Sequence, residues 1–131
     1  MSINATQAAA KLQQQSESIS PYQVITLLLE GALERLQQAK DSVNGGETEQ
    51  AEVLIRKIIG IVNGLRGSLD MEKGGAVAAN LDSLYEYIVS RLERHSAAER
   101  LAVLGECTRL IGEIKNGWDG IAESEPVAAC G

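Results

Sequence analysis

Residues 20–40 read SPYQVITLLLEGALERLQQAK. Ser20 is placed to cap a helix, and Pro21 suits the first helical position, where its missing N–H costs nothing. Gln23 follows three residues later, where its side chain reaches back to the cap backbone. Apolar residues then recur at Ile25, Leu28, Leu29, Ala32, Leu36, Ala39 and Val43, the spacing of an amphipathic helix. Asn44, Gly45 and Gly46 tolerate a left-handed backbone and end the run.

Three further series follow. The second is Ala51, Leu54, Ile55, Ile58, Ile61, Val62, Leu65 and Leu69. Gly60, Gly64 and Gly67 interrupt it, each costing about 1 kcal/mol of helix propensity relative to alanine. Close packing against a neighbour accounts for them, with local looseness as the other reading. The third series is Val77, Leu81, Leu84, Tyr85, Ile88 and Leu92, and the fourth is Leu101, Leu104, Cys107, Ile111, Ile114, Trp118 and Ile121. Ser96 and Glu99 form a second capping box between them. Helices of about 20–25 residues would be about 30–37 Å long. Short connections make neighbours antiparallel. The expectation is an all-α, antiparallel up-down four-helix bundle with a short or partly ordered N-terminal helical arm. It is one domain over residues 1–131: arm 1–19, bundle 20–122, and a frayed tail 123–131 punctuated by Pro126.

The bulk numbers agree. At 131 residues and 44% apolar, the chain can bury one core, and with no Phe that core is built from Leu, Ile, Val and Ala. A net charge of −6 disfavours nucleic acid and anionic membranes as partners. No apolar run approaches a membrane span, and no secretory signal is visible. Cys107 and Cys130 make no disulfide framework, which points to a reducing, cytoplasmic setting.

Catalytic and cofactor chemistry finds no support. His95, the single histidine, stands near a helix end in ERHS. A contact with that helix end or simple exposure explains it. The sharper alternative, a phosphoacceptor in a histidine phosphotransfer bundle, calls for a mid-helix position. No Glu-x-x-His pairs exist for a metal centre. Asp70 and Glu72 read as acids at a helix start. Cys107 falls on an apolar stripe as a buried small hydrophobe. EKGGA lacks the spacing of a phosphate loop. The chain is read as a non-enzyme without cofactor or metal.

The stretch 20–40 and the stretch 68–92, SLDMEKGGAVAANLDSLYEYIVSRL, together resemble the flagellin export chaperone family. The similarity spans residues 16–121, and residues 115–118 fit the family's last helix. Ser20, Pro21, Gly31 and Ala32 match the first signature. Gly74, Gly75, Asn80, Leu81, Leu84, Tyr85 and Tyr87 match the second. There are departures: Leu29 and Glu30 stand where the family often has tyrosine and aspartate, and the arm carries no aromatic. The resemblance implies that the third helix starts at the double glycine. It also implies a cytoplasmic chaperone holding the C-terminal segment of flagellin for secretion, with export-gate components as further partners. An adaptor for another export client is the related alternative. A homodimer stays open.

The apolar stripes are wider than a minimal bundle needs. The extra positions either widen the core or line an external groove. On the second reading the groove takes Val24, Leu27 and Leu28 from the first helix and Ile55, Ile59 and Val62 from the second. Leu110, Ile114 and Trp118 come from the last. Tyr85 is expected inward and Tyr87 outward, and the arm is expected to cover the groove in the free chain.

Overall fold

A computed structural model describes residues 20–124, with side chains through Ile121. The expected arm, its covering role and most of the tail, Cys130 included, lie outside the described residues. Ser20 caps helix α1 (Pro21–Asn44) through the full reciprocal box. The Gln23 amide donates to Ser20 Oγ at 3.1 Å, and the Ser20 amide donates to Gln23 Oε1 at 3.0 Å. Gly46, at φ +76°, reverses the chain into α2 (Thr48–Gly67).

Asp70 caps α3 (Met71–Glu93), its carboxylate accepting from the Lys73 amide at 3.0 Å. The helix therefore begins one turn ahead of the double glycine rather than at it. Gly75 is the break, at φ 51° and ψ −127°, a conformation open to glycine and strained for any side chain. The bend explains Gly74 as well, because a Cβ there would stand 2.6 Å from Ala78 Cβ. Ser96 and Glu99 form the second capping box on a short 3₁₀ turn (Ala97–Glu99), which leads into α4 (Arg100–Ser124). Among the described residues there are four long helices, one of them bent, and no strand.

Helix α1 is central, packing along α2 on one side and α4 on the other, while α3 lies mainly against α2. Leu29, Leu36, Ile58, Val62, Leu65, Ile88, Leu92, Leu104 and Ile111 fill the core, with Tyr85 and Cys107 buried among them. Each large aliphatic contributes about 1.5–3 kcal/mol by leaving water. Polar links border the seams. Arg66 of α2 reaches Asp82 at 2.6 Å and Glu86 at 3.2 Å on α3, and Lys115 of α4 lies 3.9 Å from Glu30 of α1. Such half-exposed pairs add little stability, about 0–1 kcal/mol each, so apolar burial sets the packing.

Gly60, Gly64 and Gly67 do not serve close packing. All three are exposed, and a Cβ at any of them would meet nothing within 4 Å. Three members of the apolar series also lie on the surface: Val77, Leu101 and Ile121 are 68%, 41% and 48% exposed.

Candidate functional site

Helices α3 and α4 make little contact, and a polar clasp joins them across their shared connection. There Glu106 of α4 accepts from Tyr87 Oη at 2.7 Å and from Arg91 Nε at 3.0 Å. The bend at Gly75 lies on the far, open part of α3, and the gap between the helices is a cleft of about 990 Å³. Its floor is Ile25 and Leu29 of α1 with Leu65 near the end of α2 and Leu69 in the connection that follows. One wall is Val77, Ala78, Leu81 and Tyr85 of α3, and the other is Ile114, Gly117, Trp118 and Ile121 of α4. Asp70, Lys73 and Glu113 supply charge at its edge.

The cleft has the character of a binding site for an apolar chain. It is large, predominantly apolar and framed by few polar groups. Exposed Val77 and Ile121 on its two walls continue the apolar surface into solvent, which a lone folded domain gains nothing by displaying. Burial pushes the Tyr85 phenol above its ordinary pKa.

Trp118 is held in place. Its ring stacks on Tyr22 with centroids 4.2 Å apart and planes 14° apart. Its indole Nε1–H donates to Thr26 Oγ1 at 2.9 Å, and Tyr22 Oη donates to the Trp118 carbonyl.

The nine residues expected to line a groove divide four ways. Ile114 and Trp118 line the large cleft. Ile55 and Val62 are buried in the core. Leu28, Ile59 and Leu110 are half-buried against the core and widen it, and Val24 and Leu27 are 42% and 56% exposed on α1 without lining the cleft. Among the signature residues, Gly74, Leu81 and Tyr85 line the cleft and Asn80 is exposed. Ser20 and Pro21 start α1, while Gly31 and buried Ala32 lie within it.

Ile55 and Ile59 instead border a smaller cavity of about 340 Å³ with Glu52, Arg56, Leu92, Glu93, His95 and Arg100. Both ring nitrogens of His95 are engaged there. Arg100 Nε–H donates to Nε2 at 3.1 Å, so Nδ1 carries the proton that meets the Arg91 carbonyl at 3.0 Å. A phosphoacceptor needs a free ring nitrogen, and this one is tied down as a helix-end contact. Among the described residues no cluster of His, Cys, Asp and Glu could hold a metal, and no helix is long and apolar enough to cross a membrane. Burial pushes the Cys107 thiol up to about 12, away from reactivity.

Comparison with known proteins agrees with this architecture. A family model described as flagellar protein FliS matches residues 3–125. The flagellar secretion chaperone FliSB of Pseudomonas aeruginosa is 41% identical over 111 residues, covering 85% of this chain and 88% of that one. The flagellar secretion chaperones FliS of Vibrio cholerae and Salmonella typhimurium are each 34% identical. They cover 82% and 80% of this chain, and 79% and 78% of their own lengths. A match over nearly the whole helical domain, together with identity at this level to several such proteins, establishes that the chain belongs to the FliS family.

Proposed function

We propose that this chain is a cytoplasmic export chaperone that lays the C-terminal segment of flagellin into the α3–α4 cleft, masking it until secretion. The observation that carries this reading is the cleft itself: an apolar gap of about 990 Å³ between two helices that remain joined at one end. The flagellar secretion chaperones among its relatives favour flagellin as the client.

The mechanism needs no covalent step. A client segment released in the cytoplasm carries apolar side chains meant for a subunit interface. Each Val-, Leu- or Phe-sized anchor removed from water contributes about 1.5–3 kcal/mol. Four anchors supply about 6–12 kcal/mol, from which the costs of association and of ordering the client are subtracted. The balance is a complex tight enough to prevent early assembly and loose enough to hand over, with export-gate components as the receivers. Lys73 and Glu113 on the two walls offer opposite charges to the client's polar face.

Isothermal titration of the chain with purified flagellin, with and without its C-terminal segment, tests this directly. Binding by intact flagellin and its loss on truncation are expected. Equal binding by both forms, or none by either, overturns the assignment. Pull-down from cytosol dominated by a different exported protein points to the adaptor reading instead.

A further inference from the structure

Trp118 is the chain's only tryptophan and forms part of the cleft wall, yet the residues that fix its ring do not line the cleft. Tyr22 and Thr26 stand one helical turn apart on α1 and act on it together. Stacking on Tyr22, at 4.2 Å between centroids, sets the plane of the indole but leaves it able to turn within that plane. The bond from Nε1–H to Thr26 Oγ1, at 2.9 Å, removes that freedom. Thr26 Oγ1 in turn donates to the Tyr22 carbonyl at 3.3 Å, so one hydroxyl accepts from the indole and is itself aimed by the backbone. The Tyr22 hydroxyl closes the loop on the Trp118 carbonyl. The arrangement spans 92 residues of sequence between Thr26 and Trp118, so it forms only once α1 and α4 are packed.

We infer that Thr26 is a positioning residue for the cleft: it locks the Trp118 indole so that the client's apolar side chains meet a rigid, preformed wall. This rests on the client-binding reading above and adds to it how the site holds its shape. A wall fixed in advance spares the complex the cost of ordering that side chain on binding. If the lock is removed, only a fraction of molecules present the right wall, and the apparent Kd rises by the inverse of that fraction.

Thr26→Val keeps the branched shape and removes the acceptor, whereas Thr26→Ser keeps the acceptor. Association of a flagellin C-terminal peptide is followed by stopped flow, and Trp118 fluorescence anisotropy is read on the free chain. For Thr26→Val we expect an apparent Kd about five- to tenfold higher, arising mainly from slower association, and a lower anisotropy without peptide. Thr26→Ser is expected within about twofold of the native chain on each measure. A folded Thr26→Val chain that binds like the native one overturns the inference, and so does a weakened one that serine fails to rescue. Trp118→Phe, which keeps a ring on Tyr22 but lacks the N–H, gives a second route by calorimetry. Adding Thr26→Val to it is expected to change affinity by less than about twofold, and independent, multiplying losses refute the coupling. Absence of peptide binding by the native chain counts against the cleft reading itself; binding by the native chain with no effect of Thr26→Val counts against the lock alone.

Discussion

Replacing Gly60 and Gly64 by alanine is expected to stabilise this protein. Both lie inside α2, both are exposed, and an added Cβ at either meets nothing within 4 Å. Neither has a positive φ; among the described residues only Gly46 and Gly75 do. Alanine therefore fits the existing backbone without a clash. Each change recovers about 1 kcal/mol of helix propensity, part of it by restricting the unfolded chain. Residues four apart on one helix face are neighbours and can couple, so the simple sum of about 2 kcal/mol is an upper figure. For a domain of this size that is a rise of roughly 6–10 °C in Tm. Gly67, the last residue of α2, offers less, because propensity counts for less at a helix end.

Urea denaturation followed by far-UV circular dichroism measures the change. The midpoint moves up while the slope with denaturant stays the same, since no buried surface changes. A midpoint that is unmoved or lowered refutes the reasoning. Client affinity serves as a second readout. Neither glycine lines the cleft, so affinity stays within about twofold. A large loss of binding in the stabilised variant would place client contact on the outer face of α2 and refute the site.

Four other outcomes are expected. Val77→Asp puts a charge on the cleft wall at a position 68% exposed; stability shifts by under about 0.5 kcal/mol while affinity for the flagellin C-terminal peptide falls at least about tenfold. Leu27→Asp, exposed but outside the cleft, changes affinity by less than about twofold, and the reverse ranking in titration moves the site onto α1. The hydrogen bond from Arg66 holds the Asp82 carboxyl below its ordinary pKa of 3.8, and bonds from Tyr87 and Arg91 hold Glu106 below its ordinary 4.5. Because the folded values are depressed, their contribution is present at neutral pH and is lost as pH falls below the ordinary carboxylate range; urea midpoints measured against pH show that loss, and Asp82→Asn makes the acid limb shallower. In a Cys130→Ser chain the buried Cys107 thiol resists alkylation at about pH 8 until urea unfolds the protein; rapid labelling of the folded chain contradicts its placement.

Much of the fold was legible because helix signals are local. The Ser20–Gln23 and Ser96–Glu99 boxes each need four consecutive residues, and both form as read. The stripes around Leu29, Ile58, Ile88 and Ile111 follow from a period of 3.6 and are buried. What periodicity does not carry is which neighbour covers each edge of a stripe. Ile55 and Val62 read as groove candidates on a helical projection, yet both are packed into the core. Gly60 and Gly64 suggest close packing when read alone, yet no helix comes to that side. The start of α3 was displaced by one turn because Asp70 caps ahead of the glycines, so the double glycine became a bend instead of a beginning.

The site was only half legible, for a related reason. A cleft is a stripe whose partner is missing, and a missing partner leaves no periodic mark. Val77 and Leu81 share a series with Ile88, but Ile88 is buried while Val77 is the most exposed of the large apolar residues among those described. The difference is that Val77 lines the cleft, whereas Ile88 is packed into the core. An open cleft between helices stays unfilled where its walls carry little side-chain volume. Gly74 on α3 and Gly117 on α4 both line the cleft and contribute none. Glycines on apolar edges of two helices that should face each other were therefore the available sign, and neither one carries it without the tertiary arrangement that sets them across the same gap. Gly117→Leu follows from this volume argument. Gly117 lines the cleft and nothing lies within 4 Å of a Cβ there, so leucine is expected to fit without disturbing the core and to take up space at the cleft. The expected result is a chain that folds as before and competes poorly for its client, and undiminished client binding by that filled variant would show that the gap is not where the client sits.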